Sequence, residues 1–178
     1  MTTKTAYPIQ PVLAPDFGRP AELFTNAPED TPGFAGEAPW TLHEGQEIVT
    51  NTYLNALFPH VWAHFADIGD IGVVCVATGS FQIEIVAVSA DEVETVLVRE
   101  NCSGDGTDPF AVWSGLSHEC EGRLYLRLLA LGDLTIHTLS WATDVPPKHE
   151  PSLSIGLCTF NREPELAATL SAIAHQRK

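Results

Sequence analysis

Apolar and polar residues alternate with a period of two through the middle of the chain. Phe81, Ile83 and Ile85 alternate with Gln82 and Glu84, and Leu124, Leu126 and Leu128 alternate with Arg123, Tyr125 and Arg127. Successive side chains of a strand point to opposite faces, so this pattern predicts strands buried on one face and wet on the other. Residues with turn chemistry separate the runs. Thr78-Gly79-Ser80 divides 73–77 from 81–88, Ala90-Asp91 precedes 93–98, and Gly132-Asp133 divides 123–131 from 134–141. Short strands at this spacing, without a helical pattern between them, predict a mainly β fold, a β-sandwich or jelly roll, over residues 41–144.

The two ends read differently. Seven of the 13 prolines fall in the first forty residues, which excludes a continuous helix or a central strand there. Residues 1–40 are therefore an extended arm, and Ile9, Val12, Leu13, Phe17, Leu23 and Phe24 make it one that lies along a folded body and adds an edge strand. Val145-Pro146-Pro147-Lys148-His149-Glu150-Pro151 reads as a semi-rigid linker. Beyond it, 152–158 is a short apolar run, and Leu166, Leu170, Ile173 and Ala174 share one helical face. Pro164 suits a first helical turn, with Glu163 and Glu165 at the positive end of the dipole and His175, Arg177 and Lys178 at the negative end. A strand, a loop and a helix are how a parallel α/β sheet begins. A lone unit of that kind cannot bury its faces, so 152–178 must pack on the sandwich, pair with another copy, as in a homo-oligomer, or lack fixed structure.

Charge narrows the function classes. Nine Lys and Arg against 23 Asp and Glu leave 178 residues with a net charge of -14. No Lys or Arg lies between Arg19 and Arg99, where twelve acids do. Nucleic acid, which is held by cations that displace counterions, is thereby excluded as a partner. Hydrophobic residues at 44% are ample for a core. Cys75, Cys102, Cys120 and Cys158 form no C-x-x-C pair, which argues for free thiols in a reducing compartment. No apolar run reaches the roughly 18 residues of a membrane span. The expectation is a cytoplasmic protein.

The loop Thr159-Phe160-Asn161-Arg162 follows the predicted strand 152–158 and points at a helix N-terminus, where open α/β sheets bind ligands and where Arg162 could meet phosphate oxygens. Neither G-x-G-x-x-G nor G-x-x-x-x-G-K-[ST] occurs, which disfavours a dinucleotide enzyme and a P-loop NTPase. The segment from Leu153 to Arg162, followed by Leu166 and Leu170, resembles the opening of the family 2 glycosyltransferases, whose nucleotide-sugar domain has the GT-A fold. Glu47 to Pro59 with Trp62, then Ala77-Thr78-Gly79, then Leu134 to Thr143 resemble the N-terminal β-sandwich of bacterial galactofuranosyltransferases.

The resemblance implies a transferase that moves a sugar from a UDP donor, a UDP-galactofuranose-like nucleotide sugar, onto a glycan acceptor at or near the inner face of a membrane. It implies that Thr159 and Arg162 contact UDP while Phe160 and Asn161 shape the nucleotide pocket. It also implies Mg²⁺ or Mn²⁺ on an Asp-x-Asp motif and a later carboxylate as general base. The nine aspartates of this chain are never two apart, and only the 16 residues 163–178 follow Arg162. No catalytic residue or metal ligand is therefore assigned, and the chain by itself is expected to be inactive. The alternative is a free-standing carbohydrate-binding or oligomerisation β-sandwich.

Other constellations have simpler readings. His60 and His64 bracket a helical turn, but Phe58, Val61, Trp62 and Phe65 around them favour a packed corner over a metal. Asp105 and Asp108 lack the EF-hand spacing and read as a polar turn. Trp40, Trp62, Trp113 and Trp141, with Tyr53 and Tyr125, could stack on sugars; two or three of the four tryptophans should be core, and Trp113, in a short strand after Pro109-Phe110, is the tryptophan expected to be exposed.

Overall fold

The computed structural model describes residues 4–13, 24–25, 40–64, 66–116 and 121–148, with 167, 170 and 171. The chain divides into two compact units, Met1–Pro147 and Lys148–Lys178. In the second unit Ala167, Leu170 and Ser171 are helical and exposed. The remaining expectations for 152–178, including the Thr159–Arg162 loop, lie outside the described residues.

The first unit is mainly β. Its elements in chain order are β1 (Tyr7–Pro11), β2 (Trp40–Leu42), β3 (Glu47–Val49), the short helix α1 (Pro59–Ala63), β4 (Ile71–Ser89), β5 (Glu94–Asp105), β6 (Phe110–Trp113), β7 (Gly122–Ala130) and β8 (Leu134–Thr143). All strand pairs are antiparallel. The turn chemistry at Thr78-Gly79-Ser80 predicts two strands, but the structure has one 19-residue strand, β4, bent at that point. The reason is glycine. Gly79 sits at φ +109 and a Cβ on it would collide with the Asp133 carbonyl oxygen, while its cross-strand partner Gly104 is pressed against the Ala77 carbonyl. A corner needs positions without side chains, so the chain turns without breaking the ladder.

The bend divides one continuous sheet into two halves. In the first, Ile71–Thr78 runs between β6 and β8, and β8 carries β1 and β2 on its far edge. In the second, Phe81–Ser89 runs between β5 and β7, and β7 carries β3. Inward residues of both halves, among them Ile71, Val73, Phe81, Ile83, Leu124, Leu126, Ile136 and Trp141, form one buried cluster. Folding a sheet over a corner onto its own inner face is one route to a β-sandwich, and it abolishes the need for a second, separate sheet. The arm supplies an edge strand, as its prolines require: Pro8 and Pro11 lie in β1 and cost the ladder only edge donors.

Candidate functional site

Between β3 and α1 the chain leaves the sheet and returns to the same partner strand. At the exit the Thr50 amide donates to the Leu126 carbonyl at 2.9 Å, and the Leu126 amide donates to Thr50 Oγ1 at 2.9 Å. At the return Leu57 and Leu124 exchange both backbone bonds, at 2.8 and 2.7 Å. The six residues Asn51–Ala56 form a loop pinned at both ends to β7.

Its interior is polar and closed. Asn55 is 0% exposed. Its Oδ1 accepts from the Leu13 amide at 2.7 Å, and its Nδ2 donates to the carbonyls of Leu13 at 2.8 Å and Phe24 at 2.7 Å. The Asn55 carbonyl accepts from Trp141 Nε1 at 2.9 Å. Thr52 adds a bond from its hydroxyl to the Phe24 carbonyl at 3.0 Å. A buried amide satisfied on both ends fixes its surroundings, because any other arrangement leaves donors and acceptors unpaired out of water. This clasp ties the arm, the loop and the core strand β8 together. From it Tyr53 projects with 85% of its surface exposed.

The outer face of the second half-sheet adjoins the loop. Glu84, nearly buried, receives Arg99 Nε at 2.5 Å and Arg127 Nη1 at 2.8 Å on its two oxygens. Arg127 Nη2 also donates to the Tyr125 hydroxyl at 2.9 Å, and burial pushes that phenol's pKa up. Arg123 donates from Nε to Asn51 Oδ1 at 2.9 Å and from both terminal nitrogens to Glu92 at 2.9 and 2.7 Å. That pairing holds the Glu92 carboxyl below the usual range. Toward the corner the face continues with Gln82 bonded to Asn101 at 3.0 Å. Beneath the charges Val86, Val88 and Tyr125 are buried with Val49 beside them.

The aromatic residues sort as follows. Trp141 and Trp40 are core, and Trp62 is partly buried against it, donating from Nε1 to Gln10 Oε1 at 3.4 Å. Trp113 is half-buried. Gly72 leaves no room for a Cβ beneath its ring, and Lys4 Nζ lies 5.3 Å from its centroid, held there by Asp70 at 2.6 Å and Asp144 at 3.2 Å. The residue of the aromatic set that stands free is Tyr53. Nothing local marks it, since what fixes its loop comes from Leu13, Phe24 and Trp141.

Among the described residues no group of three potential metal ligands occurs. Phe58 meets His60 edge-on at 6.3 Å, and Asp105 Oδ1 accepts from the Thr107 amide at 3.0 Å and hydroxyl at 2.7 Å, a closed polar turn. Burial pushes the Cys75 thiol up to about 12 and Cys102 up to about 11, so neither is a nucleophile at neutral pH. A shallow cleft of about 320 Å³ lies among Ala63, Ala66, Asp67, Ile68 and Val145. No described helix is long and apolar enough to cross a membrane.

No protein-family model matches the chain, and no curated protein does. Among solved structures, the chain is similar to the CBM22-1-GH10 modules of Clostridium thermocellum endo-1,4-β-D-xylanase 10B complexed with xylohexaose, at 9% identity and a TM-score of 0.37. The match covers 82% of this chain and 30% of that one.

Proposed function

We propose that the β unit handles a glycan, and that it does so as the N-terminal domain of a glycosyltransferase resembling the UDP-galactofuranose-dependent galactofuranosyltransferases. One observation carries this reading. The three separated sequence blocks on which the resemblance rests converge in space. Asn55 of the first accepts from Trp141 of the third, and Thr78 of the second lies 2.9 Å from His137 of the third. A likeness confined to unrelated surface stretches would have no such reason to meet. On this reading Thr159, Phe160, Asn161 and Arg162 belong to a nucleotide pocket completed by chain beyond these residues, with Mg²⁺ or Mn²⁺ bound there and not in the β unit.

The second reading, a free-standing carbohydrate-binding or oligomerising module, is favoured by Met1–Pro147 being a compact unit with its own main core cluster among the described residues. Two measurements test these readings, and the second separates them. Incubating the 178-residue chain with UDP-galactofuranose, Mg²⁺ and a galactan acceptor gives no product under either reading, and turnover would refute both. Fusing the chain to a galactofuranosyltransferase catalytic domain stripped of its own β domain restores transfer under the first reading; failure of a soluble, folded fusion leaves the second.

A further inference from the structure

We propose that Tyr53 is the platform on which this unit stacks the ring of a neutral saccharide, an inference that rests on the glycan-handling reading. A single exposed aromatic is ordinary on a protein surface. Tyr53 differs in how it is held. Its loop is pinned to β7 at Thr50 and Leu57 and filled by Asn55 and Thr52, so binding does not have to order the backbone beneath the ring. It also differs in its company. Eight large hydrophobic side chains are exposed among the described residues, and four of them, Leu13, Tyr53, Phe58 and Val61, belong to this loop or to segments joined directly to it. Leu13 is bonded to Asn55, Phe58 directly follows the Leu57 return point, and Val61 lies one helical turn on.

The chemistry of the ligand follows from charge. Lys4, Arg99, Arg123 and Arg127 are each paired with carboxylates. A phosphate or a uronic acid meeting Arg123, the described cation bonded to this loop, would have to break its pair with Glu92, within a chain of net charge -14. A neutral sugar needs only an apolar face for its C–H groups and polar groups for its hydroxyls. The Tyr53 ring offers the first and its phenol the second, with the Asn51–Arg123–Glu92 array at the loop's entrance as a polar rim.

The test titrates the full 178-residue chain separately with galactan oligosaccharides, xylohexaose and tetramethylammonium, and repeats each titration with Tyr53→Ala and Tyr53→Phe. The expected result is saccharide binding that weakens about tenfold or more in Tyr53→Ala, survives in Tyr53→Phe, and shows saturation transfer from the ring to sugar protons. The thermal midpoint of Tyr53→Ala should stay at the wild-type value, since the ring is 85% exposed. Saccharide binding indifferent to Tyr53→Ala would overturn this inference and leave the glycan-handling reading standing. Failure of the wild type to bind any saccharide would overturn both. Tyr53-dependent binding of tetramethylammonium in place of sugar would assign the ring to a cation and overturn it.

Discussion

Two connections beside β7 lift an apolar side chain into water, and they are secured by opposite means. The Asn51–Ala56 loop presents Tyr53 and is held from inside by Asn55, which no water reaches. The turn between β4 and β5 presents Val93, 60% exposed, and is held from outside by Arg123 gripping Glu92, whose side chain is 69% exposed. Arg123 touches both, through Asn51 and Glu92. The turn also carries the one described non-glycine residue at positive φ, Glu92 at +59. Hydrogen bonds stabilise a connection according to where they lie. A buried amide without its partners costs its full desolvation, whereas a solvent-exposed ion pair trades protein partners for water almost evenly.

Substitutions on the buried side should have the largest effects. Asn55→Ala takes their partner from the part-buried Leu13 amide and carbonyl and one of two donors from the buried Phe24 carbonyl, and should destabilise the fold by about 3 kcal/mol, read as a lowered urea midpoint. Gly79→Ala tests the corner that brings the two halves together. A side chain at φ +109 against the Asp133 carbonyl should cost about 2–3 kcal/mol by the same measurement. Glu84→Gln keeps the shape but leaves Arg99 and Arg127 sharing a neutral group. Because water reaches both guanidiniums, the loss should be about 1–2 kcal/mol.

Glu92→Gln should be the mildest, with only a slightly lower urea midpoint than wild type at pH 7, a difference that closes in acid. Its signature is in acid. The folded carboxyl titrates below its unfolded value, so its contribution is present above the unfolded value, about pH 4, and is lost as pH falls through the folded one. The variant should therefore show a shallower loss of stability on acidification than wild type.

Legibility in the sequence followed the range of the interaction. The alternation at 81–85 and 123–128 located the second half-sheet and its inner face, because strand periodicity is written in adjacent residues, but Glu84 and Tyr125, expected on a wet face, are buried beneath the arginines. Prolines placed β1 at an edge for an equally local reason. The bend in β4 was half legible: the glycine signalled a turn, but only the facing Asp133 and Gly104 make it a corner within one strand. The clasp was not legible. Asn55 looks like any loop asparagine until Leu13, Phe24 and Trp141 arrive from other parts of the chain, and without the clasp Tyr53 is one aromatic among several. Among the tryptophans local context favours Trp113 as the exposed one; it is half-buried, with Lys4, distant in sequence, over its ring.

The Asn51–Ala56 loop belongs to the core in energy although it lies at the surface. Native-state amide hydrogen exchange measures this residue by residue. The Leu13, Leu57 and Leu126 amides, donating to Asn55, Leu124 and Thr50, should exchange as slowly as the Ile83 amide in β4, through global unfolding alone, while Glu92 and Val93 exchange orders of magnitude faster. Leu13 and Leu57 exchanging at the rate of Val93 would contradict it.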